Sequence, residues 1–261
     1  MNYFFFLDND DKSLNQSVEI FNRPPAIRLC LDNLKPKKII AFYSDGKKWN
    51  YHFIKNINPN ENAIIKKNDL PLNFLDKSVF LCIKDHADFD NFNLKDEDYM
   101  NCTPSWRANI KIFSKTSSVS YQGEYPHSMT QKKITLVSCS PMIQNKSNIS
   151  SYFYLINLKN NPAKKLFKVK ILNIKKEIIK EIIFETNTIN FCKLNNILAS
   201  HDELTYIFTS EEEGGVPIYF SRNSNNTSFS LEHTHPPTEY TYAGNRFFFQ
   251  KKKQLHLKTF L

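Results

Sequence analysis

Glycine is scarce in this chain, and its scarcity limits the folds that are available. The 261 residues include only five glycines, at positions 46, 123, 214, 215 and 244. A dinucleotide-binding GxGxxG loop needs clustered glycines so that backbone can approach a pyrophosphate, and a P-loop needs a GxxxxGK(S/T) phosphate cradle. Neither spacing occurs, and neither does the GxSxG turn of α/β-hydrolases. The sequence therefore argues against the commonest nucleotide-binding folds and against α/β-hydrolases.

Short apolar runs separated by turn residues recur along the chain, which is typical of β structure. Asp45-Gly46 lies between the β-rich runs 38–43 and 49–54 and predicts a hairpin. Asparagine, which tolerates the left-handed region, is abundant at the expected turns and can replace glycine there. We predict an all-β fold in which residues 101–261 form an antiparallel β-sandwich of jelly-roll or Ig-like type. A smaller β-rich region occupies residues 1–100, and the acidic stretch 84–101 marks the boundary.

Residues 164–185 fit two structures. A helix would place Phe167, Ile171, Ile174, Ile178 and Ile182 on one face. A hairpin would instead turn at residues 173–176, and the abundance of β-branched residues favours it. We expect the hairpin, with the helix as the alternative.

The net charge of +9 and the pI of about 9.1 raise the question of a nucleic-acid partner. Only five of the 35 cationic side chains are arginine. Arginine is the side chain that clamps phosphate and guanine in a bidentate manner, so its scarcity counts against specific nucleic-acid recognition. Frequent Lys, Asn, Ile and Phe are also what an AT-rich genome encodes.

The five cysteines are widely spaced, and no CxxC pair occurs. This pattern lacks the sequence basis of a zinc ribbon or a thioredoxin-like site and is typical of free thiols in a reducing compartment. The apolar run at residues 3–7 is too short for a signal peptide, and no run approaches the ~18 apolar residues of a spanning helix. We expect a cytoplasmic protein with no membrane span.

One local cluster has the spacing of a metal site. His233 and His235 are two residues apart, which in a strand places both imidazoles on one face, and Glu239 follows after Pro236-Pro237. The segment locally resembles the first metal motif of the cupin family, HxHx3E, over about a dozen residues. The resemblance implies a divalent metal ion held by His233, His235 and Glu239. The family's second motif, a histidine after a Pro-x-Gly turn, does not follow. A polar hairpin stiffened by the prolines is the simpler alternative, and no cofactor is assigned.

Aromatic and polar residues alternate around Gly123, a mixture that suits small polar ligands and sugars. Residues 106 and 107 lie just upstream and would meet this segment in an antiparallel pair. A tight turn with packed tyrosines is the alternative. The predicted ligand-binding residues are Trp106, Arg107, Tyr121, Glu124, Tyr125 and Arg246.

These observations favour a non-enzymatic binding or accessory module for a polar small molecule, with carbohydrate as the preferred class. The rival hypothesis is a metal-dependent, cupin-like enzyme in which the ion polarises a substrate oxygen or activates water. Electrostatic binding of nucleic acid through lysine, and homo-oligomerisation through exposed β edges, are further alternatives. No Ser/His/Asp or Cys/His order is distinctive, so catalytic residues are not assigned.

Overall fold

The structure of the protein is a computed structural model that describes residues 2–7, 13–22, 36–84, 108–122, 125–126, 135–143, 148–198 and 204–233. The chain forms two compact units. Unit 1 comprises Met1–Gln131, Lys159–Lys164 and Asn187–Ile189, and unit 2 comprises Lys132–Leu158, Lys165–Thr186 and Asn190–Leu261. The domain boundary predicted at residues 100 and 101 lies outside the described residues. The apolar runs 27–31, 240–242 and 246–249 also predict strands, and they too lie outside the described residues.

The described residues of unit 1 form two sheets. The strands are β1 Asn2–Phe5, β2 Asn15–Phe21, β3 Lys37–Ser44, β4 Trp49–Ile57, β5 Asn62–Lys66, β6 Phe80–Lys84, β7 Ala108–Phe113, β8 Ser118–Gln122 and β9 Tyr125–Pro126. The five-stranded sheet has the order β4-β3-β6-β1-β9 and the four-stranded sheet has the order β5-β2-β7-β8, with antiparallel pairing throughout. The connection from β5 to β6 includes a 3-10 turn, Lys67–Asp69, and a one-turn helix α1, Leu72–Leu75.

The hairpin predicted at Asp45-Gly46 is confirmed. Strands β3 and β4 pair with Ser44 opposite Trp49, and Gly46 adopts a positive φ of 91°. The Asp45 carboxylate accepts hydrogen bonds from Asn50 and from two backbone amides of the turn, and these bonds lower its pKa to about 2. Local turn chemistry therefore sets the register of this hairpin.

The described residues of unit 2 form two four-stranded sheets, and β14 begins with two residues of unit 1. The strands are β10 Leu136–Cys139, β11 Ile149–Asn157, β12 Leu166–Leu172, β13 Ile178–Glu185, β14 Thr188–Lys193, β15 Ile207–Ser210, β16 Val216–Asn223 and β17 Phe229–His233. The sheet orders are β10-β15-β12-β13 and β14-β11-β16-β17. A one-turn helix α2, Asn195–Leu198, follows β14.

The two sheets of unit 2 share one apolar core. Phe153 on β11 stacks on Phe208 of β15 with ring centroids 4.1 Å apart, and Tyr219 on β16 lies 5.5 Å from Phe208. The Ser138 and Tyr219 hydroxyls are hydrogen-bonded across the core at 2.8 Å. Side chains from facing sheets that interdigitate in this way define a β-sandwich. The predicted all-β fold is thus confirmed, and the choice between jelly-roll and Ig-like type stays a prediction.

The hairpin is the structure that residues 166–185 adopt. Strands β12 and β13 are antiparallel, with Phe167 opposite Phe184 and Val169 opposite Ile182. The turn is closed by Asn173, whose side-chain oxygen accepts from the Glu177 amide at 2.8 Å, and Lys176 has a φ of 70°. The predicted replacement of glycine by asparagine at turns is confirmed at Asn60 and Asn226, which have φ values of 65° and 54°.

Among the described residues, no helix is long and apolar enough to cross a membrane. Three of the cysteines fall within the described part of the chain, and none of the three is in a disulfide. Cys82 is buried, Cys192 is partly buried and Cys139 is exposed. Buried thiols, which are the ordinary expectation for scattered cysteines, are therefore found at Cys82 and not at Cys139.

The Cys192 thiol should make unit 2 sensitive to alkali. Burial raises its pKa from 9.0 to about 12, so the folded state keeps a proton that the unfolded chain loses above pH 9. Stability due to the neutral thiol is complete below pH 9 and falls as pH rises toward 12, by up to about 1.4 kcal/mol per pH unit. Urea unfolding at pH 8 and pH 10 should show about 1 kcal/mol more loss for the native protein than for Cys192→Ala. Equal losses in both proteins would contradict this.

Candidate ligand-binding site

The structure describes part of the ligand site that the sequence predicts. Tyr121 lies on β8 opposite Ile110 and is 8% exposed, and Tyr125 lies on β9 opposite Tyr3. The β7–β8 ladder has Asn109 opposite Gln122, so the segments that precede β7 and follow β8 leave it at the same end. This site stays a prediction, because its other residues lie outside the described residues. They are Trp106, Arg107, Glu124 and Arg246.

The predicted metal motif begins at the last residue of β17. His233 is paired there with Ile218 of β16, while His235 and Glu239 lie outside the described residues. Within the part of the chain that the structure describes, no group of three His, Cys, Asp or Glu side chains is placed to hold a metal ion. The metal site therefore also stays a prediction.

A cavity of about 210 Å³ opens on unit 2, next to the end of β15. Its lining combines ammonium, hydroxyl and carboxylate groups, which together supply hydrogen-bond donors and acceptors. The lining residues are Lys168, Lys170, Thr209, Ser210, Glu211 and Glu212.

Strand alternation explains why the two lysines point into this cavity. Phe167, Val169 and Ile171 on β12 belong to the core of the sandwich, so Lys168 and Lys170 between them lie on the outer face of the sheet. Pairing of β12 with β15 places Lys170 opposite Thr209. The outer face of this sheet thus brings the two lysines of β12 next to Thr209 of β15.

The acidic side of the cavity is a tightly anchored loop. The Asn157 side chain donates a 2.7 Å hydrogen bond to the Gly214 carbonyl oxygen, and the Glu213 amide donates to the Ser210 hydroxyl at 3.4 Å. Gly214 and Gly215 are both buried. Two adjacent glycines after three glutamates suggest a flexible tip from sequence alone, but here they pack against β11 and fix the loop that carries Glu211 and Glu212.

Charge around the cavity is partly compensated within the sheet. Lys168 forms an ion pair with Glu181 of β13 at 2.8 Å, and both side chains are about 40% exposed. That hydrogen bond raises the pKa of the Lys168 ammonium above its usual value, and the Glu212 carboxylate adds to the effect. An ion pair between side chains this exposed contributes little to the stability of the fold. The Lys168 ammonium can therefore leave Glu181 and bind a ligand instead.

Sequence reasoning missed all six lining residues. The alternation of lysine and apolar residues on β12 indicates which side chains face outward. It contains no information on which strand lies beside β12, and that pairing is what places Thr209 and the acidic loop next to the lysines.

Comparison of the chain with protein-family models, with curated proteins and with solved structures finds no match in any of the three.

Proposed function

We propose that the protein is a non-enzymatic binding module for a polar small molecule, with carbohydrate as the preferred class. The observation that supports this proposal is the lining of the cavity on unit 2, which offers lysine, hydroxyl and carboxylate groups within one small space. A sugar hydroxyl is both a donor and an acceptor, so it can accept from Lys170 while donating to Glu211 or Glu212.

The size of the cavity limits the ligand. Its volume of about 210 Å³ is below the roughly 300–1,000 Å³ of pockets that hold drug-sized molecules. A single sugar ring suits this volume better than an oligosaccharide does. Thr209 and Ser210 are 2% and 4% exposed, so these two residues form the sheltered part of the lining, where hydrogen bonds compete least with water.

The test is calorimetric titration with glucose, galactose, mannose and N-acetylglucosamine. At least one sugar should bind, and Lys170→Met should weaken its affinity about tenfold because a charged hydrogen bond is lost. Thr209→Val, which keeps the shape and removes the hydroxyl, should weaken binding by a smaller factor. Lys55→Met is the matched control, since Lys55 is an exposed lysine of unit 1.

Two results would count against this proposal in different ways. Failure of all four sugars to bind would remove carbohydrate as the ligand class. Binding that is lost in Trp106→Ala but kept in Lys170→Met would move the ligand to the segments at the end of the β7–β8 ladder.

A further inference from the structure

Two exposed apolar side chains lie beside the cavity on the same face of the sheet. Ile183 on β13 is 57% exposed and Leu166 on β12 is 64% exposed. Isolated apolar residues on a surface are common and need no explanation. Leu166 and Ile183 differ from such isolated residues because they are neighbours of one another and of Lys168, a residue that lines the cavity.

The strand register sets this arrangement. Ile183 is directly opposite Lys168, and Lys168 lines the cavity. Leu166 precedes Lys168 by two residues on β12, so it points to the same face and lies diagonally across from Ile183. Residues directly opposite have Cβ atoms about 5 Å apart, and diagonal neighbours are roughly 7–8 Å apart. The apolar pair therefore lies next to Lys168, on the side of that residue that faces β13 and the start of β12.

We infer that the ligand carries an aliphatic substituent, such as an alkyl or acyl chain, attached to the polar ring that the cavity holds. This inference rests on the proposed function and narrows its ligand class. A polar ring alone would leave Leu166 and Ile183 in contact with water. An aliphatic chain that leaves the cavity over Lys168 would cover both side chains and remove apolar surface of its own from water.

The experiment compares glycosides that differ only in chain length. The probes are the methyl, butyl and hexyl β-glucosides and β-galactosides, with 1-hexanol as a control for binding of the chain alone. A fully buried methylene improves affinity about fourfold, and a chain lying on an open surface is covered on one side only. We expect about a twofold gain per methylene, so the hexyl glycoside should bind at least about tenfold more tightly than the methyl glycoside.

The chain effect should map to the apolar pair. In the double variant Leu166→Thr/Ile183→Thr the hexyl glycoside should bind no more tightly than the methyl glycoside, whose own affinity is unchanged. Threonine has a high β propensity and both positions are exposed, so folding should be preserved. Ile178→Thr is the matched control, because Ile178 is 51% exposed on the same strand, roughly 17 Å away along it. It should keep the full gain.

The possible failures are distinguishable. If the methyl glycosides bind and the series is flat, the inference is overturned and the proposed function stands. If the chain gain persists in Leu166→Thr/Ile183→Thr, the chain binds elsewhere and the inference is overturned. If no glycoside binds although one of the four free sugars does, the inference is overturned and the proposed function stands. If neither the glycosides nor the four free sugars bind, carbohydrate is removed as the ligand class and the inference fails with it. Sedimentation velocity adds a last check, because a native dimer that becomes monomeric in the double variant would show that a second copy covers the pair, and the inference would be overturned.

Discussion

Replacing Gly215 with alanine should lower the free energy of unfolding by about 3 kcal/mol, the upper end of the cost of overpacking. A Cβ atom at this position would lie 2.0 Å from the Ile156 carbonyl oxygen and 2.9 Å from its carbon. Both contacts are with backbone, so no side-chain rotation can relieve them. The next nearest atom, a methyl carbon of Leu155, would be 3.3 Å away.

The surrounding structure resists the shift that alanine would require. Val216 is paired with Ile156 in the β11–β16 ladder, and the buried Asn157 side chain holds the carbonyl of Gly214. Moving residue 215 away from Ile156 would strain both attachments at once. The same movement would displace the loop that carries Glu211 and Glu212, so any folded Gly215→Ala protein should also bind the proposed ligand more weakly.

Urea unfolding followed by circular dichroism measures this effect, and Gly46→Ala is its control. A Cβ atom on Gly46 would have no neighbour closer than 3.9 Å, but the φ of 91° is unfavourable for alanine. Conformational strain alone should cost about 1–2 kcal/mol. If Gly215→Ala is no more destabilising than Gly46→Ala, the close packing of residue 215 against β11 is wrong.

Local patterns in the sequence are sufficient to predict the all-β class and two hairpins of this fold. Asp45-Gly46 identified the β3–β4 hairpin because turn chemistry and strand propensity act over neighbouring residues. The sequence favours the hairpin of β12 and β13 over a helix for the same reason, because its β-branched residues and its turn at Asn173 lie within one short segment. Both predictions are confirmed.

Local patterns do not predict strands β2 and β14. Each strand shows what a prediction from neighbouring residues misses. The β2 segment begins Asn15-Gln16-Ser17 and has no distinctive apolar run, yet β5 and β7 flank it on both sides. Strand β14 follows β13 after a two-residue turn but joins the other sheet of the sandwich. Pairing partners distant in the chain decide both cases.

The candidate site shows the same limit. The lysines of β12 and the glutamates after β15 are more than 35 residues apart, and the cavity exists because β12 and β15 are paired. The apolar pair shows this limit most clearly, because Leu166 and Ile183 become neighbours only through the register of β12 and β13. Composition and local spacing, which extend over a few neighbouring residues, favour instead the segments at 106–127 and 232–246.

Replacing Phe153 with alanine should destabilise unit 2 by about 3–5 kcal/mol, the range measured for large-to-small changes in well-packed cores. Phe153 is fully buried and contacts aromatic rings of both sheets of the sandwich. Its ring centroid is 4.1 Å from Phe208 and 6.1 Å from Phe184 in the facing sheet, and 5.3 Å from Tyr219 in its own.

The cavity left by Phe153→Ala is difficult to close because the lost ring contacts both sheets of the sandwich. Phe208 and Phe184 are fixed by strand pairing, so they cannot move inward without disturbing β15 and β13. Phe191→Ala is the matched control, because Phe191 is in the same sheet, is 39% exposed and stacks on a single ring, Tyr154, at 5.6 Å. It should cost about 1 kcal/mol. Urea unfolding of both variants decides the matter, since similar losses would mean that the shared aromatic core does not hold the two sheets together.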